Sequence, residues 1–397
     1  MAGRRGGETM SMDKKTEYTA MLQIEKDHLA PLIARFGMVQ NELSGLFDMP
    51  PATEQSAAAS GSWWVTLPEE QQHLYRGALA AVASPLLIAD VSIISHNERL
   101  INTHAVLPSL RWNDPVYLFA GENNGKQFRL EYLMQADLFT NTVLLHLQGA
   151  APVYEMAMKF TVPVRDFAVL LAAADLRQRL RYKALLDHAV FPSAYRSDAI
   201  AAAVTEGFTF PDPRWLLPFC LPALHLRNAD TAPEALQQSL DRLVKTGLLA
   251  KDQDTISFTE PGERFVDSVG GRSGCIRIET YGVDAAGNNG RQSVILIRGE
   301  YFLWYAGISG TKTDTMIVTT IGLDQAEALL KELFTPLAVP KAVEPVCPVT
   351  PAVVQAPAPA VSPQKATGGA GKKFCPSCGK PLRPGLKFCS SCGAKIV

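Results

Sequence analysis

Cys375, Cys378, Cys389 and Cys392 form two Cys-x-x-Cys pairs separated by ten residues. Four thiolates at that spacing suit a tetrahedral Zn²⁺, and the glycine after each pair, Gly379 and Gly393, allows the tight turn that aims both sulfurs at one point. About two dozen residues cannot build a core of their own, so metal binding would supply most of the folding free energy of this segment. Without zinc it is expected to be unfolded. The alternative chemistry is a pair of redox-active dithiols; such motifs open a helix in a thioredoxin-like unit, and no such unit surrounds these cysteines.

Other candidates are local. His96-Asn97-Glu98 with His104 gathers two imidazoles and a carboxylate that could ligate a metal or move protons if folded onto one face, but the spacing matches no common metal motif. Cys220 and His225 are the types of a nucleophile and its base, yet the Leu- and Pro-rich run around them is the setting of a buried, inert thiol. Trp63-Trp64 reads as a partner-facing pair or as the anchor of a domain edge. No Walker loop, Rossmann glycine fingerprint or His-Glu-x-x-His is present. No catalytic residue is assigned, and the chain reads as non-enzymatic rather than as an enzyme.

The tail, from Phe374-Cys-Pro-Ser-Cys-Gly379 through Leu382 and Gly385 to Phe388-Cys-Ser-Ser-Cys-Gly393, resembles the small bacterial zinc-ribbon modules. The resemblance covers residues 374–396 and implies a structural or recognition module.

The elements that carry this tail belong to an ordinary globular chain. Of 397 residues, 47% are hydrophobic and 19% charged, enough for a substantial core. The first residues lack an apolar signal region and the longest apolar run, near Gly77 to Ala89, is too short to span a bilayer, which places the protein in the cytoplasm with no membrane partner. Cys220, Cys275 and Cys347 are scattered singles, as a reducing compartment allows. The net charge of −1 hides an asymmetry: Lys365 to Val397 holds seven basic residues and no acidic one, so the rest of the chain carries −8. A basic module on an acidic body could attract nucleic acid or an acidic protein face.

In chain order, residues 1–62 are expected to form an N-terminal heptad-like helix, with Leu22, Leu29, Phe36 and Leu43 at sevenfold spacing, followed by a linker from Asp48 to Ser62. That helix could dock on the body or form a homo-oligomer. Residues 63–190 read as a first α+β unit: a helix opened by a Thr66/Glu69 capping box, a buried strand at Leu86 to Ile94, a hairpin around Asn123-Asn124-Gly125, strands at Val143 to Leu147 and Met156 to Val162, and a long helix capped by Asp166. Its basic band, Arg177, Arg179, Arg181 and Lys183, reads as a solvated face. Residues 271–335 read as a second unit with a similar hairpin, Asn288-Asn289-Gly290, and a closing helix opened by Asp324. The shared signature predicts an internal duplication in which the two hairpins are equivalent and Asp166 matches Asp324.

Residues 191–270 are helical. Pro233 to Leu249, continued by Ile256 to Asp267 with the Thr259-x-x-Gly262 turn, resemble the last helix and wing of a winged helix-turn-helix. Between Arg227 and Asp267 there are five basic and eight acidic residues, with Glu234 and Asp241 on the would-be recognition helix. DNA affinity rests on neutralising phosphates, so this balance favours packing or a protein partner. Residues 336–373 are a Pro/Ala-rich disordered linker that could reach on the order of 100 Å, and 374–397 are the ribbon. The expected class is therefore α+β: two duplicated hairpin-plus-helix halves, a winged-helix-like middle segment and a small C-terminal zinc ribbon. The leading function is a zinc-binding adaptor with a protein partner. The second reading is a nucleic-acid-associated regulator that uses the winged segment and the ribbon.

Overall fold

A computed structural model describes residues 19–95, 100–107, 116–122, 125–133, 136–149, 151–154, 156–210, 212–226, 231–283, 289–308 and 315–334. The chain divides into two units, 1–343 and 344–397, and the described residues belong to the first.

One plan occurs twice. The first run is β1 (Thr19–Glu25), α1 (Lys26–Arg35), a 3-10 helix (Glu42–Phe47), α2 (Glu54–Thr66) and α3 (Glu69–Ala83), then β2 (Leu87–Ile94), β3 (Leu100–Leu107), β4 (Val116–Glu122), β5 (Gln127–Leu133) and α4 (Ala136–Leu145). The second opens on β6 (Lys159–Pro163) and α5 (Val164–Leu186), then β7 (Ala194–Arg196), α6 (Ser197–Thr209), α7 (Leu216–Leu224), α8 (Pro233–Lys245), β8 (Leu249–Asp252), β9 (Thr255–Phe258) and α9 (Glu260–Gly270). It ends with β10 (Gly274–Val283), β11 (Asn289–Arg298), β12 (Leu303–Ile308), β13 (Thr315–Ile321) and α10 (Leu323–Leu333). Ten strands form one antiparallel sheet in the order β1-β5-β4-β3-β2-β10-β11-β12-β13-β6. Outward from the β2–β10 contact each half is a four-strand meander, with the half's own first strand added at the outer edge. The class is α+β with two related halves.

The equivalences differ from those expected. The first Asn-Asn-Gly lies between the third and fourth strands of its meander, the second between the first and second, and Val283 pairs with Asn289, so Asn289 and Gly290 lie on β11 rather than in the turn. The counterpart of α10 is α4, whose first turn carries Asp137 as that of α10 carries Asp324. Asp166 instead sits in α5, the counterpart of α1. Asn-Gly serves any tight turn, so its recurrence carried no register.

The N-terminal helix is also shorter than its sevenfold spacing implies. Thr19–Glu25 pairs with β5 as an edge strand, and Gly37, at φ 63°, closes α1 in the left-handed region, where a glycine meets no steric penalty. Leu29, Leu32 and Leu43 are buried in the body, so the stripe proposed for dimerisation packs at home. Part of the expected linker is α2, whose capping box is Thr53 with Ser56, whereas Thr66 ends that helix. The apolar run Val143 to Leu147 belongs to the end of α4 and the turn after it; short apolar runs do not separate strand from helix by period.

Strand alternation divides the core into layers. Leu87, Ala89, Val91 and Ile93 of β2, with Ile276 and Ile278 of β10, face α4 and α10. The other face is covered twice: α1, the 3-10 helix, α2 and α3 pack over the first half, and α5 to α9 over the second. Trp64 is buried in the first layer, and Trp63 lies between His28 and Tyr75, with ring centroids 5.0 and 5.1 Å away.

In the second layer β7, β9 and β8 form a three-stranded sheet in that order, joined by α5, α6, α8 and α9. This order of strands and helices is similar to that of a winged helix, and it extends well upstream of the segment recognised in the sequence. Gly262 is needed there because a Cβ would collide with the Leu248 carbonyl oxygen, while Thr259 Oγ1 accepts from the Gly262 N–H to cap α9. The basic band of α5 is not a solvated face throughout. Arg177 donates to Asp267 (2.8 and 3.1 Å) and Glu263 (2.8 Å) on α9. Arg179 donates to Glu206 on α6 (2.6 Å) and lies 4.4 Å from the Trp215 ring centroid. Asp166, wholly buried, accepts from Arg242 of α8 at 2.6 and 2.8 Å. Asp175 accepts from the Leu216 and Leu217 N–H groups at 2.9 Å each, capping α7. α5 is thus the post to which the other helices of this layer are tied.

Candidate functional site

Where the two covering layers meet, the sheet turns polar. Along β2 the positions on that face read Ile88, Asp90, Ser92, Ile94, and along β10 they read Cys275, Arg277, Glu279, Tyr281. The apolar ends lie under the layers and the polar middles form a seam at the junction of the halves. Asp90 and Glu279 are direct cross-strand partners; on their outer sides stand His104 of β3 and Ser293 of β11. Two like charges opposite each other are unfavourable unless balanced.

Arginines supply the balance. Glu279, with its side chain only 3% exposed, accepts from Arg291 and from the Tyr281 hydroxyl (2.9 Å), and Arg277 Nε is 3.7 Å from it. Arg277 also donates to Ser92 Oγ and to the Phe219 carbonyl, both at 2.8 Å, which joins β10, β2 and α7. Arg291 lies over the Tyr281 ring, 4.9 Å from its centroid. Burial, with Glu279 alongside, pushes the Tyr281 hydroxyl up to about 12, so it stays a hydrogen-bond donor at neutral pH. Burial also raises the Asp90 carboxyl, against the pull of His104 and the two arginines.

His225, the C-cap of α7, stands 3.2 Å from Ser293 Oγ and 3.8 Å from Glu279 Oε2. Serine, histidine and a carboxylate are the parts of an acyl-transfer relay, but here hydroxyl and carboxylate approach the same ring nitrogen, Nε2. A relay needs the acid on the opposite nitrogen, so that one orients the ring while the other receives the proton. The arrangement serves to join elements and does not activate Ser293, which is itself buried.

His225 was singled out in the sequence with Cys220, but the structure parts them: Cys220 is fully buried beside Cys275, burial and that neighbour push its thiol well up, and both are free. Such a thiol is a poor nucleophile. His104 faces Asp90, whereas His96 and Glu98 lie outside the described residues. Among the described residues no group of three or more His, Cys, Asp or Glu is placed to hold a metal ion. Asp90, Arg277, Glu279 and Arg291 were missed. The available signal was charge at alternate positions, Arg277-x-Glu279, inside an otherwise apolar strand.

The ribbon cysteines, Cys375, Cys378, Cys389 and Cys392, also lie outside the described residues. Residues 374–396 match the zinc-ribbon domain family, and the family match is confined to them. A comparison with curated proteins gives no match. Among solved structures, the chain is similar to one in the structure of the Mycobacterium tuberculosis type VII secretion system chaperone EspG5 in complex with the PE25-PPE41 dimer. The TM-score is 0.40 at 7% identity, over 79% of this chain and 95% of that one. Among the described residues no helix is long and apolar enough to cross a membrane.

Proposed function

We propose that the protein is a zinc-binding scaffold without catalytic activity, in which the thiolates of Cys375, Cys378, Cys389 and Cys392 hold one Zn²⁺ and the ribbon engages a protein partner. The observation that carries this reading is the zinc-ribbon match at 374–396 together with its donor set of two Cys-x-x-Cys pairs. Four soft thiolates fill a tetrahedral shell and leave no open position for a substrate, as structural sites do and catalytic ones do not. The seven basic residues from Lys365 onward suit an acidic face on the partner. Free thiols at Cys220 and Cys275 suit the cytoplasm. On the winged segment, Arg242 is bound to Asp166 and Lys251 to Asp241, which supports a packing role over phosphate binding.

Elemental analysis of the purified full chain tests the metal. One zinc per chain is expected, falling to none in C389S while the melting of the body is unchanged; a metal-free wild type would sink the reading. Affinity capture with wild type and C389S tests the partner. Protein capture that needs intact cysteines and persists from about 50 to about 200 mM salt supports the scaffold, whereas nucleic acid lost steeply over that range would replace it.

A further inference from the structure

Two imidazoles face the two carboxylates at the junction of the halves. His104 Nδ1 is 3.8 Å from Asp90 Oδ1 and His225 Nε2 is 3.8 Å from Glu279 Oε2, one on each side of the β2–β10 pair. Each also touches or belongs to a different covering layer. The His104 ring meets Phe47 of the 3-10 helix edge-on, with centroids 6.0 Å apart. His225 ends α7 at φ 53°, a left-handed conformation costing a non-glycine residue roughly 1 kcal/mol or more, so its surroundings must hold it there.

We propose that His104 and His225 form a proton-operated catch: a proton on each loosens the 3-10 helix and the end of α7 from the central sheet. The inference does not depend on the ribbon. With both imidazoles neutral, Asp90 and Glu279 are balanced by Arg277 and Arg291, and two further protons leave the seam with excess positive charge. The groups facing His104 are Asp90 from β2, Lys26 at the start of α1 and the Phe47 ring. Those facing His225 are Glu279 and Arg277 from β10, and Arg291 and Ser293 from β11. The carboxylates attract a new imidazolium, but Glu279 already serves the guanidiniums, while Lys26 and the two arginines repel it. Burial is the leading reason that both imidazoles sit below the ordinary value, despite the carboxylates. Each therefore binds its proton less tightly in the fold than in the unfolded chain. The stability involved is intact above about pH 6.5 and is lost as pH falls through the folded values.

Hydrogen exchange of the full chain at pH 7.5 and 5.5, corrected for intrinsic rates and read over residues 42–47 and 216–225, tests the catch. Asp175, at the other end of α7, also titrates in this range with the opposite sign, so D175N serves as a control. Opening should rise at pH 5.5 by up to about tenfold, over 42–47 in wild type and D175N alike and over 216–225 in D175N, with a smaller rise over 216–225 in wild type, where Asp175 opposes it. Neither segment should open more at pH 5.5 in H104Q/H225Q. Equal protection of both segments at the two pH values in D175N, or an increase in opening at pH 5.5 that survives in H104Q/H225Q, overturns the proposal. Should that variant fail to fold, exchange at the imidazole C2 position of the wild type reads each histidine directly. Titration of His104 or His225 at or above about pH 6.5 also overturns it.

Discussion

Arg242→Ala asks whether the one arginine on the would-be recognition helix is structural. Its guanidinium makes two parallel bonds, 2.6 and 2.8 Å, to Asp166, whose side chain is 0% exposed, and a third of 3.1 Å to Ser239 Oγ. Removing one partner of a fully buried pair costs about 3–5 kcal/mol, most of it for the charge left unpaired. Two features reduce that. The Arg242 side chain is 37% exposed, so water can reach the vacated side, and Asp166 lies in the first turn of α5, where the helix dipole favours an anion. A loss of about 2–3 kcal/mol at pH 7 remains, or about 5 °C in melting temperature for a domain this large. Urea unfolding of wild type, R242A, D166A and D166A/R242A gives a double-mutant cycle with an expected coupling of about 2 kcal/mol. A coupling near zero, with R242A within about 0.5 kcal/mol of wild type, would refute the reasoning and return Arg242 to the surface as a phosphate ligand.

Two further outcomes follow from buried groups. Burial pushes the Asp175 carboxyl up to about 6, against two backbone N–H bonds and Arg272, so the folded state favours its protonated form. The penalty grows as pH rises from the unfolded value near 3.8 to the folded value and reaches about 3 kcal/mol. D175N should therefore gain about 2–3 kcal/mol on wild type between pH 4 and pH 7 in urea unfolding, and a difference independent of pH would disprove it. Gly262→Ala should cost about 2 kcal/mol or more, because the new Cβ meets the Leu248 carbonyl rather than a yielding side chain, and a variant as stable as wild type in the same assay would rule this out.

The fold was legible where a local rule decides and illegible where partners lie far apart in sequence. The wing was readable because Gly247, Thr259 and Gly262 are each fixed by a nearby main-chain constraint. The pairing of β2 with β10 was not, since the rest of the first half and all of the second layer lie between the partners Asp90 and Glu279 in the sequence, and nothing near either residue names the other. The same reason hid the ion pairs of α5. Arg177 looked like one of four exposed cations because its acceptors, Glu263 and Asp267, lie far along the chain. The sevenfold spacing near the N-terminus misled for a different reason: an edge strand, a short helix and a 3-10 turn packed on one core reproduce a heptad stripe without a continuous helix. Of the candidate sites, the ribbon was legible because its four cysteines and the residues that match the zinc-ribbon family lie within one short segment.

The two faces of the sheet limit what charge at the seam can do. Opposite the polar stripe the junction is apolar, with Leu87, Ala89, Val91 and Ile93 packed beside Ile276 and Ile278 beneath α4 and α10. The β2–β10 register is continuous from Leu87↔Gly282 to Ile94↔Cys275. Backbone pairing and apolar burial on that side do not titrate between pH 5 and 8, and each fully buried Leu or Ile contributes about 1.5–3 kcal/mol. Adding protons to His104 and His225 therefore has no means of parting the halves. The response must be confined to the side chains and helix ends that meet the stripe from above, the 3-10 helix through Phe47 and α7 through its own C-cap. A catch built in this way alters how the helical layers sit on the sheet while the sheet itself stays whole.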